Sequence, residues 1–220
     1  MDEDIRKNIL KSGTSLVGIV CKDGVVMAGD RRSTAGGIIM SKRSPKVVKI
    51  NDYLVVSGTG IASDIDLNQR VFAAELKLKE LKTKSRPTIK EAASFVGMMI
   101  YRNIRTPSMI PSMVGLLVAG VNKDGTSELY TIEPAGGVYP VEDFDANFSS
   151  GMPYILGLLE RKYKKDITVK EGIGLAKECI QAAIERDNAS GNGIDVFSIT
   201  KDGVKHEIAQ DLTPTFVERQ

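Results

Sequence analysis

Histidine and cysteine are nearly missing from this chain, which has one histidine, two cysteines and no tryptophan in 220 residues. Cys21 and Cys179 stand far apart, with no Cys-x-x-Cys or Cys/His spacing. Neither a disulfide framework nor a zinc site is indicated, and both read as small buried hydrophobes. The lone His206 lies in the alternating stretch Val204-Lys205-His206-Glu207-Ile208, where its side chain is expected to face solvent. Ser-His-Asp and Cys-His triads and His-rich metal sites are thereby excluded. Long apolar runs are missing too. Met113 to Val121 is the longest at nine residues, about half of the roughly 18 that a bilayer span needs, and it reads as a strand buried on both faces. A surplus of one charge is also absent: 30 Lys and Arg against 28 Asp and Glu leave +2, which argues against nucleic acid or an anionic membrane as main partner. Met1 to Gly13 carries six charged residues and no apolar core of the secretory kind, so a cytoplasmic location is expected.

What the chain does contain is strongly patterned. Lys22-Asp23-Gly24, Lys123-Asp124-Gly125 and Lys201-Asp202-Gly203 each sit between apolar or alternating runs. Asp-Gly favours a type I′ hairpin turn, so antiparallel hairpins are expected at 16–28, 114–132 and 194–209, with a fourth pair at 46–57 around Asn51-Asp52. Helical periodicity covers about 61–81, 88–103, 153–164 and 168–186, and Thr88-x-x-Glu91 and Thr168-x-x-Glu171 are capping boxes. Hairpins alternating with helix pairs pack best as an α+β, four-layer αββα sandwich: two antiparallel sheets face to face with a helix pair outside each. No linker interrupts this alternation, so residues 14–220 read as one domain behind a short leader, 1–13.

Without histidine or metal, a hydroxyl can still be activated by a free α-amino group, whose ordinary pKa is about 8. That chemistry needs Thr, Ser or Cys at the N-terminus of a processed chain. Gly13-Thr14 offers such a junction between a polar leader and a strand, although a plain loop-to-strand boundary would look the same. Thr14 keeps suggestive company: Thr14-x-x-Val17-Gly18, Asp30-x-Arg32, Lys46, the Ser57-Gly58-Thr59-Gly60 loop, Ser150-Gly151 and Arg186-Asp187-x-x-Ser190-Gly191. In this order and spacing the motifs resemble proteasome β-type subunits, within the N-terminal-nucleophile hydrolases, and most closely the archaeal ones. The resemblance spans almost the whole chain. It departs at Thr14-Ser15-Leu16, where the family often has consecutive threonines.

The resemblance implies a threonine-type endopeptidase. Thr14, freed by autocatalytic cleavage after Gly13, would be the nucleophile; Lys46 would favour its alkoxide, and Asp30 would pair with Lys46 and aim it. Gly60 would lend its N–H to an oxyanion hole. Ser150, Asp187 and Ser190 would orient the Thr14 amine and a water, or else serve as helix caps and turn formers. The pocket for the residue before the cut would comprise Ser33, Ser44, Val48, Gly58, Ala62 and Asp66, with Gly58 leaving it deep and Asp66 favouring basic side chains. Asp66 could equally be an exposed first-turn residue of a helix. Implied partners are proteasome α subunits and other β subunits in stacked seven-membered rings, a separate ATP-dependent unfoldase, and unfolded protein substrates; no cofactor is implied. While residues 1–13 stay attached, Thr14 has an amide and lacks its base. Two alternatives therefore stand beside the active subunit: an unprocessed β-ring subunit with a structural role, and the related bacterial two-ring protease, which the Asp30-Arg31-Arg32 turn fits less well.

Overall fold

A computed structural model describes residues 13–109 and 112–213, so the leader, apart from Gly13, lies outside the described residues. Leu16–Cys21 (β1) and Gly24–Asp30 (β2) form the first hairpin, and Gly193–Thr200 (β11) with Gly203–Asp211 (β12) the last. These four strands and the short Phe144–Asp145 (β10) make one antiparallel sheet in the order β10-β1-β2-β11-β12. Val47–Asn51 (β5), Leu54–Gly60 (β6), Val114–Val121 (β7), Ser127–Ile132 (β8) and Val138–Val141 (β9) make the second, in sequence order. Each alternating strand feeds two cores. Leu16, Val25 and Met27 turn toward the second sheet, while Val17, Ile19, Val26 and Ala28 turn the other way. As expected, β7 is buried along its whole length.

Helices α1 (Ala62–Thr83) and α2 (Ile89–Arg105) cover the second sheet; α3 (Met152–Lys162) and α4 (Val169–Ile184) cover the first. Thr88 and Thr168 cap α2 and α4 with both arms of the capping box formed. The fold is therefore the four-layer α+β sandwich that the pattern implied. Among the described residues no helix is long and apolar enough to cross a membrane, and no group of His, Cys, Asp and Glu could hold a metal ion.

One local expectation needs correction, and two features come in addition to those expected. The Lys-Asp-Gly turns are not type I′: Asp23, Asp124 and Asp202 keep negative φ, and only Gly125 and Gly203 are left-handed. A glycine alone carrying positive φ is the mark of a type I turn closed by a bulge, which also suits the strand twist. His206 is an exposed strand residue as expected; in addition its Nε2 lies 2.8 Å from Asp195 Oδ1 and its ring stacks on Phe197. A bulge between Val196 and Phe197 re-aims the pairing and brings the imidazole there. Finally, Ser33–Ala35 (β3) and Ile38–Ser41 (β4) form an unforeseen two-stranded hairpin beside the first sheet.

Candidate active site

Thr14 enters β1 at the end of the first sheet, buried to 1% exposure. Its Oγ1 lies 2.8 Å from the carbonyl oxygen of Gly13, and its backbone N–H donates to Ser150 Oγ at 2.9 Å. Gly13 in turn donates to Thr34 Oγ1 on β3 and rests so closely on Ala189 that a Cβ there would stand 1.8 Å from that methyl. Only glycine fits immediately before Thr14.

From Ser150 a hydrogen-bond chain runs beneath the threonine. Ser150 Oγ is 2.6 Å from Asp187 Oδ2, which also accepts from Ser190 Oγ at 2.7 Å. Ser190 Oγ lies 2.7 Å from Ser15 Oγ. Three residues that the motifs assembled, Ser150, Asp187 and Ser190, thus do converge on Thr14. Ser15 is a member of this chain of hydrogen bonds that sequence reading missed; the signal was its place next to Thr14, where the chain departs from consecutive threonines. Ser15 reaches the network because residue 151 is glycine: a Cβ there would stand 1.9 Å from Ser15 Oγ.

Asp30 ends β2 and is fully buried. Its Oδ1 accepts from Ser15 N–H at 3.0 Å, and its Oδ2 from the N–H groups of Arg32 and Gly191, both at 2.9 Å. Burial pushes its pKa up to about 6, against the opposing pull of the Lys46 charge and these three amides. Lys46 is 7% exposed, and burial lowers its pKa while the Asp30 charge opposes the fall. The expected direct pair does not form, since among the described residues no hydrogen bond or ion pair joins them; Asp30 spends both oxygens on backbone amides, and the ammonium acts on it through space. Arg32 secures the same corner, donating to Asn192 Oδ1 and to the Asn188 carbonyl, both at 2.8 Å.

A cleft of about 340 Å³ opens beside Thr14, lined by Thr59, Gly60, Ile61, Met113, Phe148, Ser149 and Ser150 among others. Gly60 closes β6 at φ +117°, and a Cβ would stand 2.0 Å from the Met113 carbonyl. Ile61 N–H donates to that carbonyl, so ladder alternation turns the Gly60 N–H away from β7. On that other side β5 stops at Val47, opposite Ser57, three positions short of Gly60. The amide therefore points past the end of the sheet, as an oxyanion donor must.

The six residues assigned to a side-chain pocket do not line this cleft. Ser33, Ser44 and Val48 are half-buried, and Ala62 and Asp66 are exposed. At Gly58, Ile65 Cγ2 and Leu116 Cδ2 stand 2.7 and 3.1 Å from where a Cβ would be. Asp66 is bound to Arg70 one helical turn on, at 2.8 Å, so its charge is already matched.

Two sheets between helix pairs, with a threonine two residues ahead of the first strand and the Gly60 amide at the end of β6, define the N-terminal-nucleophile class of fold. The family model described as "Proteasome subunit" matches residues 10–199, and the chain belongs to that family. It is 40% identical to "Proteasome subunit beta" of Archaeoglobus profundus over 91% of this chain and 90% of that one. The protein of the same name from Ferroglobus placidus is 39% identical over 94% and 93%, and that from Nanoarchaeum equitans 34% over 87% and 95%. The chain is thus on the β side of the family.

Proposed function

We propose that this chain is a proteolytic β subunit of a proteasome core particle, cutting peptide bonds of unfolded proteins with Thr14 as N-terminal nucleophile. The observation that carries this reading is the placement of Thr14 Oγ1 2.8 Å from the Gly13 carbonyl oxygen, above the Ser150-Asp187-Ser190 chain. In the first event Oγ1 attacks the Gly13 carbonyl carbon. The C–N bond breaks as the C–O bond forms, the proton passes to the Thr14 nitrogen, and water hydrolyses the resulting ester. That frees an amine where the Thr14 N–H now meets Ser150 Oγ.

The same parts then serve substrates. The amine takes the hydroxyl proton as Oγ1 attacks, and later returns it to the leaving amine. Gly60 N–H faces the developing oxyanion, a donor worth about 3 kcal/mol in such sites. Lys46 stabilises the alkoxide, and Asp30 keeps Lys46 charged despite its burial. α subunits and other β subunits in stacked seven-membered rings would enclose this nucleophile, and a separate ATP-dependent unfoldase in the cytoplasm would feed it.

The test is intact mass and N-terminal sequence of the chain co-expressed with its α partner, beside Thr14→Ala. We expect a new N-terminus at Thr14 in the first and none in the second. A chain still beginning at Met1 in assembled particles would instead mean a structural subunit without its base.

A further inference from the structure

Asn147 belongs to none of the family motifs, yet it makes more side-chain hydrogen bonds than any residue of the Thr14 network. It lies in the turn between β10 and α3, three residues before Ser150, at φ +45° and 3% exposure. Left-handed backbone suits asparagine better than most residues. Ala146 and Asn147 both donate their N–H groups to Asp145 Oδ1, which braces the turn.

The side chain leaves its own sheet. β10 pairs with β1, so the turn hangs from the sheet that begins with Thr14. The Asn147 amide crosses to the other sheet. Its Oδ1 accepts from Thr59 Oγ1 at 3.1 Å; its Nδ2 donates to Thr131 Oγ1 at 2.8 Å and shares its protons with the Leu116 and Ile132 carbonyls at 3.2 and 3.3 Å. Thr59 immediately precedes Gly60 and pairs with Gly115. A Cβ at Gly115 would stand 2.2 Å from Asn147 Oδ1, so the amide occupies room that only glycine leaves.

We propose that Asn147 is a positioning residue that sets the distance between the two halves of the site: Thr14 and Ser150 on one sheet, and the Gly60 amide on the other. This rests on the reading of Thr14 as nucleophile. Oxyanion stabilisation depends on where the donor stands relative to the attacking oxygen, and those two groups belong to different sheets. Across the sheets the apolar core fixes separation only loosely, because methyl contacts have no direction. A buried amide bonded at both ends is directional, and its unmet groups would be costly to bury.

The experiment uses the full chain in particles assembled with its α partner. Wild type, Asn147→Ala, Thr59→Val, Thr59→Ser and the double variant Asn147→Ala/Thr59→Val are compared by intact mass, by kcat and KM on a fluorogenic peptide, and by melting temperature. We expect Asn147→Ala and Thr59→Val to lower kcat by about 10- to 100-fold, the range that small misplacements of reacting groups produce, with KM little changed. Thr59→Ser, which keeps the hydroxyl, recovers most of the rate lost in Thr59→Val. The double variant loses no more than Asn147→Ala alone, because both remove one shared bond. If Asn147→Ala fails to assemble, the Thr59 pair decides the matter by itself. Unchanged kcat in the Asn147→Ala or Thr59→Val particles overturns the inference, as does a loss that is additive and follows melting temperature. Wild-type particles with neither processing nor peptidase activity overturn the Thr14 reading and this inference together, an outcome distinct from active wild type with equally active variants.

Discussion

Asp30 and Lys46 are opposite charges whose charged forms burial opposes. A carboxyl raised from 3.8 to about 6 contributes stability that is fully present below its ordinary value and is lost as pH rises through about 6. Lys46, whose pKa is lowered, contributes stability present above its ordinary 10.5 and lost as pH falls through its depressed value. Burial thus works against the charged form of both groups, a frequent feature of groups kept for chemistry. With processed particles, kcat/KM for a neutral peptide is expected to fall on the acid side first with the Thr14 amine, whose ordinary pKa is about 8, and more steeply near pH 6 as Asp30 protonates; Asp30→Asn should remove that second break along with most activity. A second break below about pH 5 in the wild type would show Asp30 titrating as an ordinary carboxylate. The motifs made Thr14, Asp30, Lys46, Gly60, Ser150, Asp187 and Ser190 legible, because backbone turns with demanding geometry leave short sequence traces. Ser15 and Asn147 left no trace of that kind. Each acts through a partner supplied from a distant strand or turn, Ser190 and Thr59 respectively.

Elements followed the sequence where periodicity was long and capped. In both capping boxes the threonine accepts from the N3 amide while the glutamate reaches back to the cap N–H. Thr168→Ala and Thr88→Ala should each cost about 1 kcal/mol, read as a lowered denaturation midpoint with an unchanged slope. A loss below a few tenths would mean that the tertiary packing of Ile89 and Val169, both buried at N1, sets those helix starts by itself. Turn type and the β3-β4 hairpin were less legible. Asp-Gly is compatible with several turns, and the choice was made by strand twist and bulge. The hairpin lacks the alternation that marks a half-buried strand, since Ile38, Ile39 and Met40 are all exposed. Its significance comes instead from Thr34, whose hydroxyl receives the Gly13 N–H.

At the scale of the whole molecule, the face-to-face packing of the sheets supplies the stability on which the site rests. Leu117 is fully buried between them and lies in van der Waals reach of Gly18 on the first sheet. Leu117→Ala should cost about 2–5 kcal/mol and lower the melting temperature in a single transition. Two separated transitions would show that each sheet with its helices unfolds alone. By itself the sequence determined the α+β sandwich, the capped helices, four hairpins and the polar set around Thr14, because local periodicity and backbone-restricted motifs are written residue by residue. Only the tertiary structure decided which side chains meet across the sheets. It turned Asp66 toward Arg70, filled the space at Gly58 with Ile65, left Asp30 and Lys46 interacting without contact, and sent the Asn147 amide from one sheet to the other. Those outcomes depend on where distant strands cross and on which atoms reach a given space first, and no local pattern encodes either.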